Sequence, residues 1–157
     1  MRRSDKEIPF RTEIETLLRR GTVCHLALHD TPWPYVVPLN YGFEAESGER
    51  WTLYFHSAPA GRKIDLIRRN ARASFTVSLD DELVAGNTAC EFTTRYASVM
   101  GCGSIRVLET DEDKRHGLRV LMRHCSGRYD WEVPVERLAA VTVFSLPIEM
   151  VSAKRSG

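Results

Sequence analysis

The chain has 157 residues, 43% apolar and 27% charged, a composition that fits one globular domain over residues 1–157 and excludes a disordered or fibrous chain. Lys and Arg number 22 against 21 Asp and Glu, a formal net charge of +1, so no global field favours nucleic acid or an anionic membrane. The charged start Met-Arg-Arg-Ser-Asp-Lys-Glu leads into no apolar signal segment, and no apolar run nears the roughly 18 residues of a membrane span, which points to the cytoplasm.

Thr12 and Glu15 have capping-box spacing, and Ile14, Leu17 and Leu18 supply an apolar helical stripe, so a helix is expected from Thr12 to Arg20, stopped by Gly21. Residues 22–28 are rich in strand formers. The turn His29-Asp30-Thr31-Pro32 joins them to a second strand over 33–39 that runs on through 41–44. A polar turn over 45–50 with Gly48 and a strand over 51–55 complete three strands in meander order.

Pro59 suits the first turn of a helix to Arg69 that buries Ile64 and Ile67 and ends at Asn70. Residues 71–79 alternate Ala73, Phe75, Val77 and Leu79 with Ser74, Thr76 and Ser78, a strand with one buried face, and Asp80-Asp81-Glu82 reads as an acidic turn. Residues 95–108 form a strand broken at Gly101 and Gly103, where a bend, a bulge or a close neighbour is expected. Thr110, followed by three acidic residues, caps a helix to Cys125 with Leu118, Leu121 and Met122 buried. A loop over 126–131, a helical turn over 134–138, a last strand over 139–146 and a frayed tail from Ser152 close the chain. Six strands, mostly adjacent in sequence, imply a mainly β fold: a six-stranded antiparallel barrel with three peripheral helices.

Cys24, Cys90, Cys102 and Cys125 form no C-x-x-C pair, which argues against a disulfide framework or a structural zinc site and leaves most of them as buried thiols. Cys24-His25 and His124-Cys125 invite a Cys/His nucleophile reading. Neighbours on a strand point to opposite faces, however, whereas a nucleophile and its base must converge.

The segment Tyr-Phe-His-Ser-Ala-Pro-Ala-Gly-Arg-Lys at 54–63 runs from a strand through a small hydroxyl residue into a helix opened by two cations. Free backbone N–H groups, the Ser57 hydroxyl, the Arg62 fork and the Lys63 point charge make it a candidate phosphate site. A solvated helix face is the competing reading of the same two cations.

This segment resembles the flavin-binding segment of the pyridoxamine-phosphate-oxidase-like split barrels. Tyr35-Val36-Val37-Pro38-Leu39-Asn40-Tyr41-Gly42 is similar to the strand that lies along the flavin ring there. With Cys24-His25-Leu26-Ala27, the combination looks most like the Nim group, named for 5-nitroimidazole resistance. The resemblance implies an FMN-binding split barrel that is a homodimer with flavin at the subunit interface. It further implies ring contacts from Val37, Pro38, Leu39 and Tyr41, with Asn40 and Phe55 in the same cofactor-binding set, and phosphate contacts from Ser57, Arg62 and Lys63. His56 would stand beside flavin and substrate, where an imidazole suits proton delivery. The arginine-rich pyridoxal-phosphate motif is missing from 144–150, which disfavours vitamin B6 oxidation.

Ser98 and Val99, with Met100, precede the glycine break, so their backbone could approach a flavin edge; a barrel bend is the alternative. Trp131, with Tyr129, could cap a flavin in its own or the partner subunit or pack in the core. No metal ligands stand out. Three functions follow: an FMN oxidoreductase passing hydride from a nicotinamide or deazaflavin to a nitroaromatic or quinone, a non-catalytic flavin carrier or sensor, and a heme or tetrapyrrole barrel with a histidine axial ligand. No Gly-x-Gly-x-x-Gly fingerprint marks a resident nicotinamide.

Overall fold

A computed structural model describes residues 4–46 and 50–156. In chain order the elements are α1 (Arg11–Arg20), β1 (Val23–Leu28), β2 (Tyr35–Asn40), β3 (Gly42–Ala45), β4 (Trp51–Ser57), α2 (Arg62–Arg69), β5 (Arg72–Val84), β6 (Thr93–Ser104), β7 (Arg106–Leu108), α3 (Asp111–Ser126), α4 (Val135–Leu138) and β8 (Thr142–Ser156). Strand alternation decides what meets the core. Cys24, Leu26 and Leu28 of β1, Phe75 and Val77 of β5, Leu53 and Phe55 of β4, and Phe144 and Leu146 of β8 all point inward and are buried.

Hydrogen bonding runs β2-β1-β5-β6-β8-β4-β3, all antiparallel, with β7 also on β8. The edge strands β2 and β3 do not pair with each other among the described residues, so the curled sheet is a split barrel. Its continuity rests on β8. Thr142 to Pro147 pair with β4, and Ile148 to Ser156 pair with β6. At the crossing a bulge between Cys102 and Gly103 lets β8 change partners, and a Cβ on Gly103 would lie 2.0 Å from the Pro147 carbonyl oxygen. The expected glycine break is therefore a barrel corner.

Eight strands replace the expected six. Residues 42–45 do not extend β2 but cross to β4, because the Tyr41 ring is fully buried and its hydroxyl donates to Leu18 O at 2.7 Å, pinning the chain between the two strands. Residues 95–108 divide at Ile105, which is buried and donates its N–H to Ala71 O. The acidic stretch 80–82 is no turn. β5 continues to Val84 across a bulge at Leu79/Glu82, where Asp80 takes φ 59° and pairs with Arg20, while Glu82 pairs with Arg95. The strands instead reverse beyond Val84, where Glu91 Oε2 accepts from the N–H groups of Asn87 and Thr88. The expected turn residues 47–49 lie outside the described residues.

Three helix expectations shift. α1 begins at Arg11 with Phe10 as its uncapped N-cap, so Thr12 caps nothing; the ladder bond from Ile8 N–H to Ala153 O fixes where the chain leaves the sheet. α2 starts at Arg62 rather than Pro59, after Gly61 turns the chain with φ 130°. α3 keeps its Thr110 cap, which accepts from Asp113 N–H, but buries Gly117, Val120 and Leu121, leaving Leu118 and Met122 half-buried. Gly117 lets the helix sit against Tyr54 and Val143.

The tail is not frayed either: Ser156 pairs with Tyr96 and accepts from Lys6 Nζ at 2.7 Å. Of the four cysteines only Cys24 is buried, which pushes its thiol up to about 12, while Cys102 is half-buried and Cys90 and Cys125 are exposed.

Gly103→Ala is expected to lower stability by about 1–3 kcal/mol, since a methyl group has no room at the corner. Urea unfolding measures it. Wild-type stability in the variant would show that the corner opens without strain.

Candidate cofactor site

β4 ends at Ser57 and α2 begins at Arg62, and the four-residue connection between them gathers the polar groups. The Ser57 side chain is 7% exposed, and its hydroxyl accepts from Lys63 Nζ at 3.0 Å while donating to Ala58 O. Arg62, one residue earlier on the helix, swings outward and stays 62% exposed. Both its Nε, at 2.9 Å, and its Nη2, at 2.7 Å, reach Asp30 Oδ2, and the guanidinium stands over the Tyr35 ring at 5.1 Å. Thr31 N–H donates to the other Asp30 oxygen at 2.8 Å. That backbone bond and Arg62 hold the Asp30 carboxyl below the usual carboxylate range, so it stays charged at neutral pH.

The β1–β2 turn and the start of α2 are thus joined by one ion pair. Asp30 and Tyr35 were not among the residues expected from sequence. An aspartate in a turn before proline reads as turn chemistry, and only the antiparallel hairpin, Leu28 opposite Tyr35, carries it to Arg62.

The other expected site residues divide. Val37 and Leu39 are half-buried and pack against the core, whereas Pro38 and Asn40 face out, Asn40 Nδ2 donating to Thr22 O at 3.0 Å. The ring of Tyr41 is committed to the interior, as is Phe55, which stacks on Phe144 with centroids 5.2 Å apart. Only their main-chain atoms are left to meet a ligand. His56 is exposed on β4, opposite Val143 and two residues from the buried Tyr54 on the same face.

Ser98 and Val99 lie on β6, away from α2 in the strand order. Val99 is in the core, and Ser98 faces out between Ser78 and Lys154. Trp131 is half-buried in the loop after α3, its Nε1 donating to Ser126 Oγ and its ring under Arg128. The structure therefore brings together Ser57, Arg62 and Lys63, adds Asp30 and Tyr35, and gives Val99, Phe55 and the Tyr41 ring to packing. No cluster of three or more His, Cys, Asp or Glu suited to a metal occurs among the described residues.

Among the described residues, one large surface has no helix over it. The outer sides of β1, β5, β6 and the second half of β8 present small polar residues with Val23, Met100 and Met150 exposed, and Val36 of β2 continues the patch. A cleft of about 480 Å³ runs along it beside Asp30, floored by Ala27, Ser74 and Cys102 and bounded by Met150.

The family profile described as pyridoxamine 5'-phosphate oxidase matches residues 11–155. No curated protein matches the chain. Among solved structures, a candidate 5-nitroimidazole antibiotic resistance protein from Bacteroides thetaiotaomicron is 32% identical with a TM-score of 0.81, over 94% of this chain and 85% of that one. An FAD-binding protein from Mesorhizobium loti is 27% identical with a TM-score of 0.66, over 94% and 96% of the two chains. The flavocytochrome Anf3 from Azotobacter vinelandii, 23% identical with a TM-score of 0.81 over 100% of this chain and 72% of that one, shares the fold. With its split barrel and a profile match over nearly its whole length, the chain belongs to the pyridoxamine 5'-phosphate oxidase family.

Proposed function

We propose that the chain is an FMN flavoprotein that reduces small acceptors such as nitroaromatics or quinones. The observation that carries this reading is the Lys63–Ser57 hydrogen bond at the first turn of α2, with the Arg62 fork beside it. The donor set fits a phosphate. Lys63 supplies a compact charge, Ser57 a hydroxyl held in place by burial, Arg62 further N–H groups, and the helix start free backbone donors. Gly61 leaves open space over this turn. Asp30 and Tyr35 fix the plane of the guanidinium before any ligand arrives, which reduces the ordering entropy of binding.

When bound, the flavin supplies the hydride chemistry, accepting from a nicotinamide or deazaflavin. The chain's part is to hold the phosphate at α2, to present the β2 backbone at Val37, Pro38 and Leu39 to the ring, and to offer His56 as a proton donor at the exposed face of β4. Cytoplasmic residence belongs to the same reading and suits an exposed free thiol at Cys90.

The same reading includes a homodimer. Its support is the helix-free sheet face, where Met100 is 58% and Met150 68% exposed among serines and threonines; contiguous apolar exposure of this kind marks association surfaces. The cleft beside Asp30 lies on that face, so a second copy would wall it.

Three outcomes test the proposal. The double variant Arg62→Ala, Lys63→Ala is expected to weaken FMN binding about tenfold to hundredfold without loss of fold, by fluorescence titration and circular dichroism; undiminished affinity removes the phosphate site. The absorption spectrum of the purified protein and mass analysis of the released cofactor separate FMN from FAD and from heme, whose Soret band would refute the flavin assignment. His56→Ala should keep the flavin and slow its reoxidation by a nitroimidazole in stopped flow, and equal rates would remove His56 from the chemistry. For the dimer, Met100→Arg is expected to give monomers of reduced flavin content in sedimentation velocity, whereas an unchanged sedimentation coefficient would place the interface elsewhere.

A further inference from the structure

The outer face of β4, β7 and β8 carries a second recess, remote from the cluster at α2. Cross-strand register sets Tyr54, Ser145 and Arg106 in one row and Thr52 beside Pro147 in the next, so these side chains share one face. α3 covers the inner part of that face, its Gly117 against Tyr54, and stops short of the outer part. A cavity of about 380 Å³ remains, walled by Trp51, Pro147 and Ile148 and by Thr52, Ser145 and Arg106, with Tyr54 and the Glu46–Arg50 pair completing the lining. That volume lies within the roughly 300–1,000 Å³ of small-molecule sites.

Three polar groups in it have no hydrogen-bond or ion-pair partner among the described residues. Ser145 is 5% and Thr52 7% exposed, and neither hydroxyl bonds another group in the described residues. Every fully sealed side-chain polar atom there is satisfied, so these two hydroxyls open onto the cavity. Arg106 likewise forms no ion pair among the described residues, the carboxylate of Glu46 on the same lining being paired with Arg50 instead.

The remaining charges nearby are matched. Glu46 pairs with Arg50 at 3.3 Å, and Glu44 behind Tyr54 is held by His116 at 2.7 Å, by Arg123 and by the Tyr54 hydroxyl. One uncompensated cation and two free hydroxyl donors therefore meet three apolar walls.

We infer that this recess binds a small organic carboxylate with an apolar body. The Arg106 fork takes the two carboxylate oxygens, Ser145 and Thr52 donate to them, and the body lies against Trp51, Pro147 and Ile148. Arg50, the other cation on the lining, is already paired with Glu46, so a phosphate dianion would bring a second charge with no unpaired cation to balance it. Thr52 and Ser57 stand five positions apart on β4, roughly 16 Å, so the site is distinct from the cofactor cluster and does not rest on the flavin reading.

Amide NMR titration of the purified full-length protein tests this with benzoate, isobutyrate and inorganic phosphate. The carboxylates are expected to shift the amides of Thr52, Arg106 and residues 145–148 saturably, with phosphate leaving them in place. Arg106→Gln should weaken benzoate binding about tenfold or more, Arg106→Lys should recover part of it, and Ser145→Ala should lower it less. Arg106 is exposed and has no partner among the described residues, so its variants keep the spectrum elsewhere as a control of fold. The inference is overturned if neither carboxylate gives saturable shifts at these positions, if Arg106→Gln binds benzoate as tightly as wild type, or if phosphate binds there more tightly than benzoate.

Discussion

Everything in this fold depends on the corner at which β8 exchanges β4 for β6. A single strand of 15 residues serves both halves of the barrel, so the sheet can curl only if the chain bends sharply without losing its ladder. Pro147 and Gly103 supply that bend. The bulge at Glu149 of β8 lets Gly103 pair with Ile148 after Cys102 has paired with Met150, and the absent Gly103 side chain leaves room for the Pro147 carbonyl. Without the corner, Phe144 and Leu146 could not face Phe55 and Leu53 while Ala153 faces the same interior from the other half.

The candidate cofactor cluster follows from that closure. Curling brings the β4–α2 connection beside the β1–β2 turn, and the Arg62–Asp30 pair bridges segments 32 residues apart. A surface ion pair of this exposure contributes little to stability. Its consequence is geometric, since Arg62 is aimed and stacked on Tyr35 while Lys63 is tied to Ser57. Two adjacent cations on one helix turn thereby face different partners, as the roughly 100° between neighbouring helix residues requires.

The two sides of the sheet have different futures in the same chain. α3, held by its Thr110 cap and seated through Gly117 and Gly42, covers the outside of β3, β4 and the start of β8. It leaves the recess around Arg106 at its margin. The face built from β1, β5, β6 and the end of β8 has no such cover, and exposed methionines among small polar residues make it a surface suited to another copy of the chain.

The sequence by itself determined what is local. Alternation over 71–79, the Thr110 cap, Asn70 as the end of α2 and the inward set Ile64 and Ile67 follow from periodicity and capping, which act within a few residues. Membership of the split-barrel family was legible in the resemblance of 35–42 and 54–63 to the family's segments, the second of which opens a helix with two cations. Tertiary structure alone decided the rest. Tyr41, Phe55 and Val99 went to the core because the barrel had an interior to fill, and α1 began before Thr12 because Ile8 was already hydrogen-bonded to β8. The ladder carried the strand through the acidic stretch at 80–82, and Asp30, anonymous in a turn, acquired its partner only when the hairpin brought it to Arg62. Contacts between residues far apart in sequence leave no local pattern to read, and the Asp30–Arg62 pair and the recess around Arg106 are made of such contacts.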